Sequence, residues 1–304
     1  MKLGTMMGLL PTVVTVTILG CSNGTQEKTE NKPLKDTKAA ERVPALLGAQ
    51  PATPWWPTAG AVILEGGRME SPTFDKVAQR LIDLAGGPDA LLVVIPTANE
   101  GVAPRLRETV PAFDPYELKK LLESKGADRV TVLHTRDRQV ADSEEFVRIL
   151  RTASGVWIPG GGARILENTY RGTLVARELR ALLTRGGVIA GDSAGAIAMG
   201  CFALGWTPDP WGVVVDGLAI LPNVTVLPHA NAARGYVPWE ETLKYLAAHP
   251  GPVGAVIDEN TALVLKGSAA EVIGAGSIAL VDPTKDKAKP YLMLKAGDKC
   301  DLAK

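Results

Sequence analysis

An α/β sandwich, a mostly parallel sheet covered by helices on both faces, is the fold class this sequence predicts, and two observations predict it. Short, continuously apolar runs alternate with amphipathic segments from residue 60 onward, and buried parallel strands read as unbroken apolar runs rather than alternating ones. One of those runs, Gly187-Val188-Ile189-Ala190, feeds Gly191-Asp192-Ser193-Ala194-Gly195-Ala196, a Gly-x-Ser-x-Gly turn followed by the helical Ile197-Ala198-Met199. Such a strand-turn-helix holds its serine in a strained conformation above the sheet, and small flanking residues permit so tight a bend. Ser193 is therefore the candidate nucleophile.

The elements follow in order. Ala61-Val62-Ile63-Leu64 is a buried-type strand. Ser71-Pro72 supplies an N-cap and a first-turn proline to a helix whose apolar face is Phe74, Val77, Ala78, Leu81, Ile82 and Leu84. Leu91 to Ile95 is a strand; Asp114-Pro115 opens a helix with Leu118, Leu121 and Leu122 on one face, and Gly126 closes it before the strand Val130-Thr131-Val132-Leu133. Phe146 to Leu150 is helical, Gly155-Val156-Trp157-Ile158 is a strand, and Leu174 to Leu183 is a helix with Gly186 beyond its end. Val224 to Leu227 and a later run through Val256-Ile257 read as further strands.

The chain has 304 residues, 46% of them hydrophobic and 22% charged, enough for a substantial core in one large domain. Its 33 basic and 33 acidic side chains cancel, so bulk charge favours neither nucleic acid nor an anionic surface. Residues 1–20 read as a signal peptide, with Lys2 followed by an uncharged, largely apolar stretch, and the ending Ile18-Leu19-Gly20-Cys21 resembles a bacterial lipobox. Cys21 would then be the lipidated first residue of the mature protein, placing it in the bacterial cell envelope on the periplasmic or extracellular face. Residues 21–58 form a polar tether and a lead-in, Pro51 to Pro57, whose Trp55 and Trp56 are expected to cap the surface of the domain that spans 59–304.

In a sheet of this kind chemistry gathers at the carboxyl ends of the strands. The loops there are Glu65-Gly66-Gly67, Pro159-Gly160-Gly161-Gly162 and the elbow itself. Gly160-Gly161 suits an oxyanion hole, because glycines let backbone N–H groups approach a bound group and a second donor is needed beside the N–H of Ala194. A nucleotide fingerprint does not fit, since the position three beyond Gly162 is Ile165. Among three histidines, His249 closes a helical segment and His134 lies upstream of the elbow, whereas His229 follows a strand ending in Pro228 and leads into a polar loop, which makes it the expected base. Asp258-Glu259 supplies a carboxylate to orient it; adjacent residues on an extended segment face opposite ways, so at most one of the two serves. The order Ser, His, acid differs from that of α/β-hydrolases.

Val94-Ile95-Pro96-Thr97-Ala98, Trp157-Ile158-Pro159-Gly160-Gly161, Gly191 to Ala196 and Ile257-Asp258-Glu259-Asn260-Thr261-Ala262, in that order, resemble the cyanophycinase and peptidase E (aspartyl dipeptidase) group of serine peptidases across about residues 59 to 280. The resemblance implies a flavodoxin-like, class I glutamine amidotransferase-like three-layer fold, with Ser193 as nucleophile, His229 as base and Glu259 rather than Asp258 as third member. It also implies cleavage after an aspartyl residue in dipeptides or in branched aspartyl-arginine polymer. Amidotransferases of this fold carry cysteine at the elbow, where this chain has serine.

Two departures bear on the substrate. Where the family usually has Asp-Gln after the paired glycines, this chain has Gly162 and Ala163, and around the histidine Leu227-Pro228-His229-Ala230 replaces the Asp-Gln-His-Phe of cyanophycinases. Each removes a polar side chain, and a buried hydrogen bond lost in this way costs about 1 to 3 kcal/mol, enough to shift preference without abolishing the chemistry. Arg234 is a candidate partner for a substrate carboxylate, set against the reading of an ordinary surface arginine. The expected partners are a small peptide, the membrane through the lipid anchor and, in a homodimer, a second copy of the chain, but not nucleic acid. No cofactor or metal is called for; Cys21, Cys201 and Cys300 have no zinc-motif spacing, and Cys201 and Cys300 are read as isolated thiols. The rival reading is a non-catalytic envelope binding protein that retains the fold with an altered pocket.

Overall fold

A computed structural model describes residues 54–101, 115–204, 214–231, 252–282 and 291–303. The leader, Cys21, the tether before residue 54, Arg234 and His249 lie outside the described residues.

The strands are β1 (Ala61–Glu65), β2 (Leu91–Val94), β3 (Arg129–Val132), β4 (Gly155–Ile158), β5 (Val188–Asp192), β6 (Phe202–Leu204), β7 (Val214–Asp216), β8 (Val224–Leu227), β9 (Val253–Ile257), β10 (Thr261–Lys266), β11 (Ala269–Gly274), β12 (Ser277–Val281), β13 (Tyr291–Lys295) and β14 (Lys299–Asp301). The helices are α1 (Ser71–Ala85), α2 (Pro115–Ser124), α3 (Arg138–Ala141), α4 (Glu144–Thr152), α5 (Ala163–Tyr170), α6 (Leu174–Thr184) and α7 (Ala194–Met199), with a 3₁₀ turn at Thr97–Gly101. The main sheet runs β14-β11-β10-β1-β5-β4-β2-β3. Its half from β1 to β3 is parallel throughout, and β10, β11 and β14 extend it antiparallel.

Burial explains the layering. Every residue of β1 and β4 is buried, so both faces of the sheet must be covered. On one face Val77, Leu81, Leu118 and Leu122 of α1 and α2 pack against Ile63, Ala190 and Trp157. On the other, Leu150, Leu166, Leu179 and Leu182 of α4, α5 and α6 pack against Val62, Leu64, Val156 and Ile189. The result is a three-layer α/β/α sandwich. Trp55 and Trp56 rest half-buried against this second face, edge to face with 5.5 Å between ring centroids.

Two details differ from the sequence reading. The cap of α1 is Glu70 rather than Ser71, and its N–H donates to Asn260 Oδ1 at 3.0 Å; Ser71 is already helical. The strands at 224–227 and 253–257 do not join the main sheet. They pair in parallel with each other in a second, four-stranded sheet, β13-β12-β9-β8. The chain then passes from β9 into β10 through only Asp258, Glu259 and Asn260, and β10 returns to the main sheet antiparallel to β1. Only Gly267 and Ser268 join β10 to β11, and because parallel neighbours need a crossover of about a dozen or more residues, these two strands pair antiparallel.

Both sheets direct the carboxyl ends of their parallel strands to one place. In the main sheet Glu65 of β1 stands level with Asp192 of β5; in the second, Leu227 of β8 stands level with Val256 of β9. Gly66-Gly67, Ser193, His229 and Glu259 all lie within three residues of those ends.

Candidate active site

Ser193 has φ +47° and ψ −110°, a conformation that non-glycine residues rarely occupy. The turn is held because its flanking glycines leave no room for anything larger. A Cβ on Gly191 would stand 2.7 Å from Met199 Sδ, and one on Gly195 would stand 1.9 Å from the Ile158 carbonyl oxygen. The Ser193 N–H donates to the Glu65 carbonyl at 3.1 Å, which ties the elbow to the neighbouring strand.

Ser193 Oγ lies 2.8 Å from His229 Nε2, and His229 Nδ1 lies 2.9 Å from Glu259 Oε1. In the tautomer whose Nδ1–H donates to the carboxylate, Nε2 is left to accept the serine proton. His229 also has positive φ, +61°; its N–H donates to the Gly66 carbonyl at 2.9 Å, and the next N–H, on Ala230, donates to the Ile257 carbonyl. Of the five described non-glycine residues with positive φ, four (Arg68, Ser193, His229 and Asn260) surround this cluster, so backbone strain is concentrated at the site. Burial lowers the His229 pKa below its ordinary 6.5, partly opposed by the hydrogen bond and charge of Glu259 and reinforced by Arg68. The ring is thus neutral and able to accept a proton at neutral pH.

The two adjacent carboxylates diverge. Glu259 meets the imidazole and receives the Arg68 guanidinium at 3.3 Å, while its own N–H donates to Asn231 Oδ1 at 2.8 Å. Asp258 turns away, and its Oδ2 accepts from the Ser277 N–H at 2.8 Å. His134 is engaged elsewhere: its Nδ1 lies 2.9 Å from Thr97 Oγ1, which also bonds the buried Tyr170 hydroxyl.

Gly160 packs beside the serine, and Gly161 and Gly162 follow it in the loop. A Cβ on Gly160 would stand 3.1 Å from Ser193 Cβ. Gly161 is exposed with φ +139°, and a Cβ there would stand 2.2 Å from the Ala98 carbonyl oxygen. The Gly162 N–H is used by that same oxygen at 2.9 Å, and Gly162 caps α5, of which Ala163 is the first residue. Cys201 and Cys300 are not joined to each other, and among the described residues no group of three or more His, Cys, Asp or Glu could hold a metal ion.

Sequence reasoning passed over several neighbours. Gly67 was read only as part of a glycine cluster, yet a Cβ there would stand 2.1 Å from His229 Cε1, so the imidazole lies directly on it. Arg68 and Asn231, which hold Glu259, left no signal in composition or spacing. Glu65 did leave one, a carboxylate ending an otherwise apolar strand.

A serine, a neutral imidazole and a carboxylate in hydrogen-bonded series, set on a strand-to-helix elbow beside a glycine loop, have the arrangement of a serine hydrolase site. Residues 61–273 match Peptidase family S51, and the chain belongs to that family. It is 30% identical over 237 residues to a cyanophycinase of Nostoc sp., covering 75% of each chain. It is also 30% identical over 230 residues to a cyanophycinase of Geminocystis herdmanii, covering 73% of this chain and 80% of the relative. Among solved structures, a peptidase from an acI-B1 actinobacterium superposes with a TM-score of 0.63 at 24% identity, covering 80% of this chain and 97% of its own, which shows the shared fold.

Proposed function

We propose that this peptidase cleaves a peptide or isopeptide bond of a small peptide through an acyl-enzyme formed on Ser193. The observation that carries the reading is the unbroken series Ser193 Oγ, His229 Nε2, His229 Nδ1, Glu259 Oε1, with 2.8 Å and 2.9 Å at its two links. As Oγ attacks the scissile carbonyl carbon, its proton passes to Nε2; collapse of the tetrahedral intermediate breaks the C–N bond, and the same proton goes to the leaving amine. Water then repeats the sequence on the ester, giving its proton to Nε2 and releasing the acid and free serine. Glu259 keeps the ring in the productive tautomer and stabilises the imidazolium that forms.

The oxyanion is assigned to the backbone N–H groups of Gly161 and Ala194. The neighbouring donors are committed, Gly162 to Ala98 and Ser193 to Glu65, whereas Ala194 begins α7 and its N–H has no acceptor within that helix. Gly162, Ala163 and Arg234 border the substrate in this reading. Because Gly162 and Ala163 offer no polar side chain, recognition there falls to backbone groups, and an aspartyl peptide is held less tightly than it would be by a glutamine.

The test is hydrolysis of a panel of N-terminal aspartyl, isoaspartyl and neutral dipeptides together with cyanophycin, by the wild type and by Ser193→Ala. Turnover of at least one class by the wild type alone is expected. A panel inert to both proteins would favour the non-catalytic binding protein instead. We further propose that Cys21 carries a lipid that holds the enzyme at the cell envelope. Labelled fatty acid should then be incorporated by the full chain in a bacterial host and not by Cys21→Ala; equal incorporation would contradict the anchor.

A further inference from the structure

Beneath the nucleophile lies a carboxyl pair for which the hydrolytic steps have no use. Glu65, fully buried, and Asp192 stand level on adjacent parallel strands and project from the same face of the sheet, the face on which Ile63, Ala190 and Trp157 pack under α1. Neither Glu65 oxygen completes a hydrogen bond, nor does Asp192 Oδ1 or Trp157 Nε1, although all four atoms are sealed from solvent. The indole lies close enough to Glu65 to favour its charged form to a small degree without reaching hydrogen-bond geometry. Ionised carboxylates are acceptors only, so a proton is the one addition that turns an orphaned oxygen of this pair into a donor.

The pair is also connected to the site. The backbone N–H groups of Gly67 and Gly160 lie near enough to the Asp192 carboxylate to favour its charged form, and a Cβ on Gly160 would stand 2.9 Å from Asp192 Oδ2. Gly67 carries the His229 ring, and Gly160 opens the glycine loop and packs on Ser193 Cβ. The Asp192 side chain thus lies beside both the floor under the base and the start of the oxyanion loop.

We propose that Glu65 is protonated at neutral pH and forms with Asp192 a proton-sharing pair that positions the Gly67 and Gly160 loops around Ser193. Burial, then the Asp192 charge, raises Glu65 well above the usual carboxyl range, and burial pushes Asp192 up to about 7 against the opposing pull of the nearby Gly160 and Gly67 N–H groups. No other charge faces the pair among the described residues. Packed against it, β4 and β10 present Trp157 and Ala262, and α1 presents Phe74 and Val77. On α1, Asp75 and Arg80 are ion-paired to Lys125 and Glu271, while Lys76 and Asp83 are exposed. Around the site, Arg68 is exposed and paired with Glu259, Glu70 is exposed, neutral His229 lies beyond Gly67, and Asp258 is bound to the Ser277 N–H.

The folded state therefore retains protons that the unfolded chain releases near pH 4, so the pair's contribution to stability is complete below about pH 4 and is lost as pH rises through 7 and beyond. Glu65→Gln places a neutral group of the same shape at the first position. Its urea midpoint should fall less between pH 5 and pH 9 than that of the wild type, and the alkaline limb of its kcat profile should move to higher pH. Infrared difference spectra at pH 8 should show a protonated-carboxyl band in the wild type and in Asp192→Asn, and none in Glu65→Gln. Parallel stability profiles, or a wild type without that band, would overturn the proposal. The positioning role rests on the hydrolase reading, but the infrared and urea measurements do not. Failure of those two leaves the hydrolase intact, and failure of the dipeptide panel leaves the shared proton intact.

Discussion

Ser193→Ala and His229→Ala should each lower kcat by about 10⁶-fold on the substrate the panel identifies, and the double variant should be no slower than either single one. The triad acts as a unit: without the imidazole the hydroxyl keeps its proton, and without the hydroxyl the imidazole has nothing to activate. Rate-versus-variant measurements, with circular dichroism to establish that each variant is folded, check this directly. Additive losses would mean that the two side chains work independently, contrary to the 2.8 Å contact between them. The wild-type profile carries a second expectation. Protonated His229 cannot accept from Ser193, so kcat/KM falls as pH falls through the imidazole pKa, and burial places that limb below the ordinary 6.5.

Glu259→Gln should cost about 10⁴-fold in kcat while leaving KM and folding close to wild type. Glutamine fits the same space, but its amide can donate to Nδ1, which moves the ring proton to Nε2 and leaves that atom unable to take the serine proton. Asp258→Asn is the matched control, since Asp258 bonds the Ser277 N–H and does not touch the ring; its kcat should remain near that of the wild type. If Asp258→Asn were the damaging change and Glu259→Gln silent, the orienting carboxylate would have been misassigned.

Much of this was legible in the chain because the decisive signals are local. The apolar run into Gly191 to Gly195 specifies strand, turn and helix within a dozen residues, and the glycines on either side of Ser193 prove to have no room for a Cβ. Elimination among three histidines pointed to His229 because it leaves a strand into a polar loop on the far side of the elbow, and its Nε2 stands 2.8 Å from Ser193 Oγ. Periodicity could not say which sheet a strand joins. Val224–Leu227 and Val253–Ile257 look like continuations of the parallel series and instead build a second sheet, because strand partnership is settled by long-range packing rather than by the strand's own residues. The same limit hid Arg68 and Asn231, whose value lies entirely in what the fold brings near them. Choosing between Asp258 and Glu259 took the resemblance to a known family; the geometry agrees through the turn between β9 and β10 that sends the two side chains opposite ways.

The relay itself is tested most directly by a fluorophosphonate, which phosphonylates a serine only where a base activates it. The account predicts one adduct, mapped by mass spectrometry to Ser193, forming more slowly as pH drops through the His229 titration and absent from His229→Ala. No adduct at neutral pH, or labelling of Ser193 at the same rate in His229→Ala, would contradict it.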